Sequence, residues 1–79
     1  TLGVLVGYDK EHSTDLVRTL EAFFEQNANA SQTSRVLFVH RNTLNYRLQR
    51  IAEITGLDLN DAEARLAFQL ALKVHRLSI

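Results

Sequence analysis

Cysteine, proline, methionine and tryptophan are absent from this 79-residue sequence, and glycine occurs only at positions 3, 7 and 56. Without cysteine there is neither a disulfide framework nor a thiolate metal site. Few residues are left that break helices, and strand-like alternation is nearly missing, so the pattern is helical almost throughout. No apolar run approaches the roughly 20 residues that span a bilayer. Nothing at the start resembles a secretory signal. These absences point to a cytoplasmic protein with no membrane partner. At 46% hydrophobic and 23% charged the chain reads as one small globular domain over residues 1–79, not as a disordered segment. One further absence is local. Between Gln26 and Ala52 there is no acidic residue, although the formal net charge of the whole chain is zero. The bases in that window are Arg35, Arg41, Arg47 and Arg50, and the acids lie on either side of it. A neutral chain with one basic patch can still bind phosphate locally.

The expected fold is all-α, a small bundle of about five helices. Residues 1–8 are apolar and form either a short first helix or a frayed remnant. Ser13 or Thr14 caps a helix over about 14–26, in which Leu16, Leu20, Phe23 and Phe24 recur at helical spacing. A polar stretch at 27–30 ends it. Ser31 caps a short helix over about 32–37, with Val36 and Leu37 as core contacts and Ser34 as a small residue between helices. Phe38 and Val39 make a tight connection, and His40 occupies an N-cap position. A long helix follows over about 40–55, with Leu44, Leu48 and Ile51 facing inward. Gly56 is the expected left-handed residue behind it. Asn60 and Glu63 fit a capping box for a last helix over about 61–77. That helix carries two apolar stripes. Leu66, Leu70, Val74 and Leu77 form one, and Phe68 and Leu72 form the other. This is more apolar surface than one face of a small bundle needs. Phe68 and Leu72 either complete the core or form a homodimer face or docking surface.

Two helices joined by a short turn, the second basic and polar outside, describe a helix-turn-helix. In that motif the second helix enters the major groove and its first residues reach base edges. Arg, Asn and Gln carry the donor and acceptor pairs that match those edges. The usual turn glycine is missing, with Phe38 in its place. The string His40-Arg41-Asn42-Thr43-Leu44-Asn45-Tyr46-Arg47-Leu48-Gln49-Arg50-Ile51, followed by Glu53-Ile54-Thr55-Gly56-Leu57-Asp58-Leu59, resembles the C-terminal helix-turn-helix of PucR/CdaR-type bacterial transcription regulators. Tyr8-Asp9, Leu16, Thr19-Leu20, Phe23-Phe24, Leu66-Ala67, Leu70-Ala71-Leu72 and Arg76-Leu77 fit the same pattern. The family usually has Ala where Ser34 stands. The start of the long helix also resembles the Fis-type DNA-binding motif. The resemblance implies a DNA-binding output domain, the C-terminal part of a larger regulator whose upstream sensory domain lies outside this chain.

Twelve residues are candidates for contact with duplex DNA. Arg41, Asn42 and Thr43 occupy the first turn of the long helix, and the bland alternative is a solvated helix start. The acid-free surroundings and the resemblance favour DNA. Asn42 or Asn45 suits adenine, and Arg41 suits guanine or phosphate. His40 is a cap first and a phosphate donor second. Tyr46 either presents its hydroxyl to a phosphate or packs against the preceding helix. Gln49 lies on the outer face. Arg47 and Arg50 suit phosphate, with Arg50 open to pairing with Glu53 or Glu21 instead. Gln32, Thr33 and Arg35 begin the first motif helix, where amides can hold a phosphate and plain solvent exposure is the rival reading. No Ser/His/Asp set, phosphate loop or metal-ligand spacing is present, so neither an enzyme nor a cofactor is expected. The rival function is a helical protein-interaction module whose basic face docks on an acidic partner.

Overall fold

The computed structural model describes residues 2–77, so Thr1 at the start of the apolar N-terminal stretch lies outside the described residues. The expected all-α fold is present: five helices and, among the described residues, no strand. They are α1 (Leu2–His12), α2 (Leu16–Glu25), α3 (Ala30–Leu37), α4 (Arg41–Thr55) and α5 (Ala62–Leu77). Helices α1, α2 and α4 pack on one another, α3 leans on α2 and α4, and α5 packs against α1. Their shared core holds Leu2, Leu5, Leu16, Leu20, Ile51, Leu59, Phe68 and Leu72. The N-terminal stretch is thus a full helix whose Leu2 and Leu5 are needed inside.

Helix ends decide where the elements start. The cap of α2 is neither Ser13 nor Thr14. Asp9, on α1, accepts from the backbone amides of Leu16 (2.9 Å) and Val17 (3.0 Å) and from the Thr14 hydroxyl. A carboxylate on one helix therefore satisfies the orphan donors of the next and fixes the angle between them. Asp9→Ala is expected to lower stability by about 2 kcal/mol, the upper end for loss of a cap. Urea unfolding followed by helical circular dichroism measures it, and a loss below about 0.5 kcal/mol would refute this role.

Two other caps also shift. Asn29, not Ser31, caps α3, its side chain accepting from the Gln32 amide at 3.0 Å. Asp61, not Asn60, caps α5, accepting from the Ala64 amide at 3.0 Å. Gly56 is left-handed (φ 72°) and closes α4 through a 2.8 Å bond from its amide to the Ala52 carbonyl.

The two stripes of α5 are assigned unambiguously by burial. Ala64, Phe68 and Leu72 turn inward, with Phe68 wholly buried and its ring 6.5 Å from that of Phe24. Phe68 and Leu72 are therefore core, and the expectation that they form a homodimer face is corrected. Leu66, Leu70, Val74 and Leu77 are the exposed set. Arg76 fastens the far end of α5 to α2, with Nε 3.3 Å from Glu21 and Nη2 3.9 Å from Glu25.

Candidate nucleic-acid interface

The turn between α3 and α4 is built without glycine. Phe38 is left-handed (φ 57°, ψ 42°), its amide donates to the Arg35 carbonyl at 3.2 Å, and the Val39 amide donates to the Ser34 carbonyl at 3.0 Å. These two bonds close α3 in the pattern that usually has glycine at the left-handed position. An aromatic residue there is uncommon. The Phe38 side chain is 94% exposed, so it offsets the conformational cost with no packing. His40 then opens α4: its Nδ1 accepts from the Asn42 amide at 3.0 Å and caps the helix. Ser34 is buried at the junction of the two helices, where its small size lets them approach. Val36, expected in the core, is exposed, because the eight residues of α3 make barely two turns and only Thr33 and Ser34 face fully inward.

On α4, Leu44 and Ile51 are fully buried and Leu48 packs against the core cluster. The opposite face carries Asn42, Asn45, Tyr46 and Gln49, spaced as neighbours on one side of a helix and all exposed. Tyr46 is 67% exposed, so the alternative in which it packs on α3 does not hold. Arg41 and Thr43 flank this stripe and are exposed as well. Arg41 reaches back to the start of α3, where its Nη1 donates to the Ser31 hydroxyl at 2.9 Å. The guanidinium thus joins the first turn of α4 to the first turn of α3.

Three expected contacts are placed differently. Thr33 is fully buried, and its hydroxyl donates to the Asn29 carbonyl at 2.7 Å, which removes it from the surface set. The sequence places Thr33 at the exposed start of α3, whereas the helix begins two residues earlier, at Ala30, and Thr33 lies with Ser34 on its inward face. Arg47 is half-buried and donates to the Thr19 hydroxyl at 3.3 Å, so it stands lower on the flank of α4. Arg50 donates through Nε to the Tyr8 hydroxyl at 3.2 Å, lies 5.3 Å over that ring and pairs with Glu53 at 3.2 Å. The Tyr8 hydrogen bond, then Glu53, raises its pKa beyond the already high value of a guanidinium. That leaves Arg35, Arg41 and Arg47 without an ion pair among the described residues. Tyr8 was not foreseen as an orienting residue. It lies forty-two positions from Arg50 in the sequence, beyond the reach of any local pattern.

Among the described residues, no group of histidines and carboxylates is arranged to hold a metal ion, and no helix is long and apolar enough to cross a membrane.

The model of the PucR C-terminal helix-turn-helix domain matches residues 16–74. The DNA-binding transcriptional activator AdeR of Bacillus subtilis is 37% identical over the whole chain, which covers 19% of that protein. The carbohydrate diacid regulator of Escherichia coli is 52% identical over 75% of the chain and 15% of its own length. The proline-responsive transcriptional activator PutR of Bacillus subtilis is 41% identical over 90% of the chain and 17% of its own length. The chain therefore spans less than a fifth of each of these relatives. No solved structure gives a significant match. With three quarters of its length inside the matched region and helix-turn-helix geometry at its centre, this chain belongs to the PucR C-terminal helix-turn-helix domain family.

Proposed function

We propose that the chain is the output domain of a bacterial transcription regulator in the cytoplasm and binds duplex DNA sequence-specifically, with α4 in the major groove. The observation that carries this reading is the outer face of α4. Asn42, Asn45 and Gln49 present amides, Thr43 and Tyr46 present hydroxyls, and Arg41 supplies a guanidinium, with no acid until Glu53. Amides and guanidiniums form paired hydrogen bonds to adenine and guanine edges. Arg35, Gln32 and His40 beside the groove-facing helix, with Arg47 lower on its flank, suit phosphates, which fix register without reading sequence. The names of the relatives, transcriptional activators and regulators, support the same class of function. Their length supports a second part of the proposal, an upstream sensory domain in the same polypeptide that controls this one.

A gel shift against duplex DNA over a range of salt concentrations tests the reading. With about three unpaired guanidiniums available to phosphates, log affinity should fall against log salt with a slope near −3. Absence of any specific shift at low salt would overturn it and leave the basic face to an acidic protein.

A further inference from the structure

Helix α5 turns Ala64, Phe68 and Leu72 inward and leaves a second apolar row outside. Leu66, Leu70, Val74 and Leu77 are between 55% and 87% exposed. Leu66, Leu70 and Val74 are each four residues apart, so they form a single ridge of the kind that interdigitates in helix–helix packing. The face holding this ridge spans about 100° of the helix circumference and carries one charge of each sign, Glu63 near the start and Lys73 toward the end. Neither Glu63 nor Lys73 takes part in an ion pair among the described residues. Beside the ridge runs a groove of about 360 Å³ between α2 and α5, with Phe24, Leu66, Leu70 and Leu72 on its apolar wall and the charged ends of Lys73 and of the Arg76–Glu21 pair at its edge.

We propose that this ridge is a self-association surface that takes α5 of a second copy of the chain, antiparallel, about a two-fold axis midway between Leu66 and Leu70. Charge selects both the occupant and the direction. A two-fold contact uses the same patch on both sides and must complement itself. In the antiparallel arrangement Glu63 of each copy approaches Lys73 of the other, and the ends of the two helix dipoles lie against their opposites. A parallel pair would set Glu63 against Glu63 and Lys73 against Lys73. The ridge of one copy also meets the groove beside the ridge of the other, the geometry in which rows spaced by four cross at roughly 50°. Helix α4 packs on α1, α2 and α3, so covering the outside of α5 leaves the Asn42–Gln49 face open. A chain measuring 29 × 28 × 24 Å also lets two copies stand side by side on half-sites about 34 Å apart. This last fit rests on the DNA reading, whereas the association does not and is measured without DNA, so the two fail separately.

Helices crossing at that angle touch over only part of the roughly 24 Å length of α5, a small area for a protein interface, so association of the isolated 79-residue chain is expected only at roughly 100 µM and above. Sedimentation equilibrium from ~10 µM to ~1 mM at low salt should show the mass rising from 9.0 kDa toward twice that value. Leu70→Glu should weaken association at least tenfold with helical content unchanged, since that position is exposed. Glu63→Lys alone and Lys73→Glu alone should each weaken it about fivefold, and the double swap should return it to within twofold of the original. A strict monomer at ~1 mM overturns the proposal and gives the ridge to some other occupant, such as another part of a longer polypeptide. So does association that survives Leu70→Glu, or a double swap that fails to rescue.

Discussion

Phe68→Ala is expected to destabilise the domain by about 3–5 kcal/mol. A domain of this length has roughly 4–12 kcal/mol in total, so the variant should sit near the edge of folding. The ring is wholly buried at the centre of the cluster that joins α1, α2, α4 and α5, and it meets Phe24 across the α2–α5 contact. Removing it deletes the apolar burial of a large side chain and leaves a void that neighbours on four helices cannot close together. Leu66→Ala, two residues away on the same helix, should cost less than about 1 kcal/mol, because Leu66 is already half in water. Thermal unfolding of the pair measures the contrast, with a drop of 15 °C or more for Phe68→Ala and a few degrees at most for Leu66→Ala. Comparable shifts in the two variants would show that α5 is rotated from the orientation described.

That contrast is set by contacts between helices, which no local pattern carries. The spacing of Leu44, Leu48 and Ile51, the cap at His40 and the stop at Gly56 are all local to one helix, and each was legible because its cause lies within a few residues of its effect. The two stripes of α5 were legible too, but periodicity does not say which faces in. That choice is made by Phe24 on another helix and by the anchoring of Arg76 to Glu21. The cap of α2 was missed for the same reason. Asp9 lies seven and eight positions from the amides it receives, and its role exists only once α1 has folded back on α2. At the candidate interface the first turn of α4 was readable from residue type alone. Thr33 was not, since one polar residue in a short helix faces in or out according to where the helix begins. Asn29 sets that start two residues ahead of the cap expected at Ser31. Arg50 looks like its neighbours in the sequence, and only the approach of Tyr8 separates it from them.

Arg41→Ala and Asn42→Ala are each expected to weaken binding to a preferred duplex by about 1–3 kcal/mol, or roughly five- to 150-fold. Both side chains are exposed, so unfolding temperature should hardly move, although Arg41→Ala also releases the Ser31 hydroxyl. The Asn42 group that donates to the His40 cap is its backbone amide, so the cap survives the substitution. Arg41→Lys separates two roles for the guanidinium. A lysine keeps the charge but not the paired donors, so a phosphate contact should survive it and a guanine contact should not. Arg50→Ala is the informative control. Its guanidinium is committed to Tyr8 and Glu53, so its removal should loosen the α1–α4 contact more than it weakens DNA binding. Binding titrations of these variants on one duplex selected from a random pool, at fixed salt, rank the four effects. Unchanged affinity in both Arg41→Ala and Asn42→Ala would move base reading away from the first turn of α4. Loss in Arg50→Ala equal to that in Arg41→Ala would mean that the Tyr8 and Glu53 contacts give way when phosphate arrives.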